Sequence, residues 1–166
     1  MRFLVFFLAI ILSAAVTALE LKGELQQGAM ILGQVEVGSR VALGDQPVKV
    51  SDNGLFVLGF DRDAPAVAQL QITLPGGQLK THSLNIAPRD YKIQRIEGIP
   101  KKIMSPSEEA LKRIRSESAE VRKARAQVLE RLDFAGTFQW PLAGPITGVF
   151  GSQRVYNGVP KRPHYG

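Results

Sequence analysis

Ala68-Gln69-Leu70-Gln71-Ile72-Thr73-Leu74-Pro75-Gly76-Gly77-Gln78-Leu79 is the stretch that decides the fold class. Ala68, Leu70, Ile72 and Leu74 alternate with Gln69, Gln71 and Thr73, so a strand here turns apolar side chains to one face and polar ones to the other. Pro75-Gly76-Gly77 then predicts a tight connection into a second strand over Leu79–Ile86, because glycine supplies the positive φ that hairpin turns require.

The same signals extend outward. Ser51-Asp52-Asn53-Gly54 separates Pro47–Val50 from Leu55–Phe60 in the same manner, and Tyr91–Ile96 is a further candidate strand. Strands at about ten-residue spacing predict a small antiparallel β-sandwich over residues 19–98, with an immunoglobulin-like arrangement as one form of it. From 99 to 135 the apolar period becomes helical, which predicts a linker helix. Ser105-Pro106-Ser107-Glu108 reads as a capping box with Ser105 as the cap. Leu111, Ile114, Val121, Val128 and Leu132 form a stripe that Ser118 and Arg125 interrupt, so a helix lying on a neighbouring domain is favoured over a coiled coil. Glu117, Glu120, Arg122, Lys123, Glu130 and Arg131 read as its solvated face.

Ahead of the sandwich, Met1-Arg2, an apolar run from Phe3 to Leu12 and the small residues leading to Val16-Thr17-Ala18 read as a secretory signal peptide over residues 1–18. An uncleaved anchor is the other reading of the same residues, but Glu20 and Lys22 interrupt the run before it reaches the ~20 residues of a spanning helix. Cleavage after Ala18 would place the protein outside the cytoplasm, secreted or periplasmic. There is no cysteine, so neither a disulfide nor lipid attachment through a thiol holds or anchors the chain. The formal charge of +6 favours anionic surroundings such as cell-wall polymers or lipid headgroups. Nucleic acid is disfavoured, because the basic residues are interleaved with acids and form no stripe with aromatics.

At Gly136 the composition changes to glycine, proline and aromatics. Phe138-Gln139-Trp140-Pro141 and Gly144-Pro145-Ile146-Thr147-Gly148-Val149-Phe150-Gly151-Ser152-Gln153-Arg154 precede Gly158 and His164-Tyr165-Gly166. This run resembles the opening of the LytM/lysostaphin-type zinc peptidoglycan endopeptidases. In that family a Trp-Pro segment and a Gly-x-(Ile/Val)-Thr-x-x-Phe-Gly-x-Arg motif precede His-x-Gly-x-Asp and, later, His-x-His. The resemblance implies a third region, 136–166, that begins a β-rich metallopeptidase domain. It implies hydrolysis of peptide cross-bridges in peptidoglycan, with zinc as the cofactor. It makes His164 the first zinc ligand, with Gly144, Thr147, Phe150, Gly151 and Arg154 as scaffold positions. Arg154 becomes a candidate substrate-binding residue through its bidentate fork, with a surface ion pair as the other account.

A catalytic zinc takes about three protein ligands and keeps one position for water. The Asp of the motif would fall two residues after Gly166, and the His-x-His segment has no counterpart, so the chain is expected to be truncated and inactive alone, with no catalytic residue of its own. Two other readings stand beside this one: a degenerate LytM-type adaptor that activates a cell-wall amidase, and a plain β-sandwich binding module. His82 reads as an ordinary surface residue, and Asp61-Arg62-Asp63 as a solvated loop. No nucleophile elbow, phosphate loop or cysteine nucleophile is present. Residues 136–166 are expected to be loosely held in isolation, with Ile146, Val149 and Phe150 lacking partners, while 19–98 folds alone.

Overall fold

The computed structural model describes residues 19–100 and 104–165; the candidate signal peptide and Gly166 of the histidine motif lie outside them. The fold is mainly β, with ten strands and one long helix among the described residues.

Seven strands build the predicted sandwich. β1 (Glu20–Lys22), β2 (Met30–Gln34) and β5 (Leu55–Gly59) form a three-stranded antiparallel sheet in the order β1-β2-β5. β3 (Arg40–Leu43), β4 (Gln46–Val48), β6 (Val67–Thr73) and β7 (Leu79–Asn85) form a four-stranded one in the order β4-β3-β6-β7. The alternation does what it predicts: Leu70 and Ile72 are buried, whereas Gln69 stays exposed. They meet Ile31, Phe56 and Leu58 of the first sheet and Val41 and Leu84 of their own in one core. Ile31, Phe56 and Leu70 are its largest fully buried side chains. Pro47 falls in β4, an edge strand, where a missing N–H costs no ladder bond on the open side.

The two turn signals have different outcomes. Pro75-Gly76-Gly77 closes the β6–β7 hairpin, with Gly77 at φ 84° donating its N–H to the Leu74 carbonyl. Ser51–Gly54 carries the chain from one sheet to the other, because β4 and β5 belong to different sheets and only Val50 and Phe56 bridge across the turn.

The candidate strand at 91–96 forms, but with partners outside the sandwich. β8 (Ile93–Ile96) joins neither sandwich sheet. It pairs in parallel with β9 (Gln153–Tyr156), which pairs with β10 (Val159–Pro160) in a third sheet ordered β10-β9-β8. The chain thus leaves the sandwich before β8, and the segment from the C-terminal region returns to it. Asn157 at φ 46° and Gly158 at φ 77° make the β9–β10 turn, both in the left-handed region that two-residue hairpins use. The Asn157 side-chain amide also grips Ile99, accepting from its N–H and donating to its carbonyl.

The linker forms α1 (Glu108–Arg125), shorter than the stripe that predicts it, so Val128 and Leu132 fall beyond its end. Its cap is Ser107, whose hydroxyl accepts from the Ala110 N–H, and not Ser105; the helix begins after the proline, and a cap must sit directly before the first helical residue. Glu108 and Glu109 in the first turn and Arg122, Lys123 and Arg125 in the last complement the helix dipole. None of its residues is buried, and Ile114 and Val121 are exposed, so α1 lies on no neighbouring domain among the described residues. No helix among these residues is long and apolar enough to cross a membrane.

Candidate functional site

The segment after α1 divides at Phe150. Before it, Phe138, Trp140, Leu142, Ile146 and Val149 are exposed, as expected for apolar residues short of partners. From Phe150 onward the chain has packing partners, and Phe150 itself departs from the expectation that it lacks them. Gly151 and Val155 are buried, and Phe150 has ring partners on both sides, meeting Tyr91 and Tyr165 edge to face.

Gly151 is the residue on which this attachment turns. Its φ of 81° favours glycine, and any Cβ there would run into the Tyr91 ring. Tyr91 sits just before β8, so the parallel β8–β9 pairing is what brings the ring to the glycine. Gly28 has the same character on the sandwich side: φ is 74°, and a Cβ would lie 2.6 Å from Cε1 of Phe150 and 2.8 Å from the Tyr91 hydroxyl. The tyrosine ring and the phenylalanine ring therefore pack onto bare backbone. The Tyr91 hydroxyl is buried with no hydrogen-bond partner among the described residues.

The backbone of His164 is tied to the Phe-Gly turn by two bonds. The Gly151 N–H donates to the His164 carbonyl at 2.7 Å, and the His164 N–H donates to the Ser152 carbonyl at 2.9 Å. The imidazole is exposed and lies beside Gly148, where an added Cβ would approach its Cδ2 to 3.3 Å. Gly148 thus clears room for the ring. The two halves of the motif, separated in sequence by Gln153–Pro163, are adjacent in space.

His164 opens on a groove of about 640 Å³ between the third sheet and the 146–149 segment. Lys92, Arg154, Lys161 and Arg162 line it together with His164, and no carboxylate side chain does among the described residues, so this lining is cationic. Lys92 and Gln94 come from the β8 side, upstream of the helix. Arg154, exposed on β9, donates from Nε to Gln94 Oε1 at 3.3 Å, its register neighbour on β8. Its neighbour is an amide and not the carboxylate of a surface ion pair. Ser152 and Gln153 stand between Gly151 and Arg154, one residue more than the Gly-x-Arg of the resembled pattern.

The remaining histidine, His82, lies in β7 opposite Leu70, half-buried on the same side as Leu84. Among the described residues no three His, Cys, Asp or Glu side chains converge to hold a metal ion. The donor set that these residues offer zinc is one imidazole, which does not fit a zinc site by itself. The Asp61-Arg62-Asp63 loop has exposed carboxylates as expected, but its arginine is packed, with the side chain only 12% exposed.

Three features escaped the sequence reading. Asn157-Gly158 is a strong hairpin signal and was legible. The roles of Tyr91 and Arg62 depend on contacts between distant segments and left no local pattern. Neither a family model nor a curated protein matches the chain.

Proposed function

We propose that this is an exported protein of the bacterial cell envelope that acts on peptidoglycan, and that its C-terminal region opens a zinc endopeptidase domain of the LytM/lysostaphin type with His164 as the first metal ligand. The observation that carries this reading is the coupling of His164 to the Phe150–Ser152 turn through both of its backbone polar groups, the carbonyl to Gly151 and the N–H to Ser152. A metal-binding histidine needs a fixed backbone so that its ring is presented in one geometry, and an ordinary exposed loop histidine needs none.

The cationic groove supports the same reading. Stem peptides of peptidoglycan carry free carboxylates, and Lys92, Arg154, Lys161 and Arg162 offer them charge-assisted hydrogen bonds with no acidic side chain among the described lining residues. Arg154 is the residue we assign to substrate binding. Among the described residues one donor is offered to zinc, fewer than the about three that a catalytic ion takes.

The test compares this chain with one extended through any residues encoded after Gly166, measuring zinc content and release of peptides from cross-linked wall. The reading requires the extended chain to bind one zinc and cleave, and the present chain to do neither. Cleavage by neither version, with no zinc bound by either, overturns it in favour of a non-enzymatic adaptor that activates a cell-wall amidase.

A further inference from the structure

We infer that Arg62, in the loop after β5, is a positioning residue for His164: it clamps the Phe150–Ser152 turn to the sandwich, and that turn holds the histidine backbone. Arginine in a loop between two exposed aspartates would ordinarily extend into solvent. Arg62 folds inward and uses its guanidinium in three ways. Nε donates to the Gly151 carbonyl at 2.8 Å, Nη1 donates to Asp63 Oδ1 at 2.6 Å, and the planar group lies 4.6 Å from the centroid of the Tyr91 ring.

Gly151 is consequently bonded on both sides. Its carbonyl accepts from Arg62 of the sandwich, and its N–H donates to the carbonyl of His164. Tyr91 closes the clamp from the other direction, since its ring meets the arginine on one side and Phe150 edge-on at 6.5 Å. Fixing an arginine side chain costs about 1.5–2 kcal/mol of rotamer entropy. A hydrogen bond from a charged donor and a cation on an aromatic face are the interactions that offset it. Lysine keeps the charge but lacks the flat fork, so it can donate to Gly151 or cover the ring less well than arginine does both.

The inference depends on the proposed function only for what His164 does once placed; the clamp itself requires no zinc. The test therefore uses the whole 166-residue chain without metal, as wild type, Arg62→Ala, Arg62→Lys and Asp63→Ala. The chain has two histidines, so the imidazole resonances of His164 and His82 are read separately, together with amide exchange at Gly151 and His164 and at Leu70 in the core.

Arg62→Ala is expected to speed exchange at Gly151 and His164 by about tenfold to a hundredfold, the equivalent of losing a hydrogen bond from a charged donor. It should move the His164 resonance and leave His82 and Leu70 unchanged. Arg62→Lys should restore part of both effects, and Asp63→Ala should change neither. Unchanged exchange at Gly151 and His164 in Arg62→Ala overturns the proposal. So does an equal change at Leu70 and His82, which would make Arg62 a part of the sandwich and nothing more. If Arg62→Ala does not fold, Arg62→Lys decides by the same comparison. The zinc measurement on the extended chain stands apart from these readouts, so the clamp and the peptidase reading fail independently.

Discussion

Gly151→Ala tests how the third sheet is held against the sandwich. Two separate penalties are built into this position. At φ 81° an L-residue enters the left-handed region, at about 1–2 kcal/mol. The new methyl also meets the Tyr91 ring, and overpacking of this kind costs about 1–3 kcal/mol. Together they predict about 2–5 kcal/mol against the docked state of the turn. At about 1.4 kcal/mol per factor of ten, amide exchange at His164 should rise by at least tenfold, up to the ceiling set by complete opening of the segment. The two parts separate in a double-mutant cycle. With Tyr91→Ala in the background the methyl has space, and the glycine substitution should then cost only the backbone share of about 1–2 kcal/mol. Native-state exchange at His164 and Ser152, read against Leu70 in the sandwich core, measures all four corners of the cycle. An equal cost with and without the Tyr91 ring would refute the argument that ring and glycine are packed directly on one another.

Other substitutions probe the rest of the chain. Phe56→Ala removes a ring that is 0% exposed at the centre of the sandwich, and urea unfolding should show a loss of about 3–5 kcal/mol. Ser107→Ala should weaken α1 by about 1 kcal/mol, lowering helical circular dichroism, while Ser105→Ala leaves it unchanged. Because α1 buries none of its residues, the unfolding midpoint of the sandwich should not respond to either serine variant. Tyr91→Phe keeps the ring and removes a buried hydroxyl that has no partner among the described residues, so it should be neutral or stabilising by up to about 1 kcal/mol in the exchange of Gly151.

What was legible in the sequence was what local pattern encodes. The alternation from Ala68 to Leu74 placed Leu70 and Ile72 in the core because side chains in a strand leave the backbone on alternate sides whatever the strand pairs with. Pro75-Gly76-Gly77 specified a hairpin because its backbone conformations are open to few other residues. The helix is also local, although the capping-box pattern points to Ser105 where Ser107 caps, and the apolar spacing outlasts the helix at Arg125. Gly136 likewise marked a change of character that the exposed residues up to Val149 share.

The tertiary structure alone decided which strands are neighbours. Tyr91–Ile96 reads as a strand in isolation, but its alternation says nothing of its partner, and a parallel partner reached across a helix leaves no turn signal between the two. Arg62 looked solvated because charge flanked by charge usually is, and only the carbonyl of Gly151 and the face of Tyr91, brought in by distant segments, turn it inward. His164 could be singled out from its motif, whereas its hydrogen bonds to Gly151 and Ser152 and the cations around it required the fold. By itself the sequence determined where the chain extends, turns and coils, since those choices are made by the sterics of a few adjacent residues. Which of these pieces hold one another was decided in three dimensions, because packing and hydrogen bonding act on proximity in space and not on order along the chain.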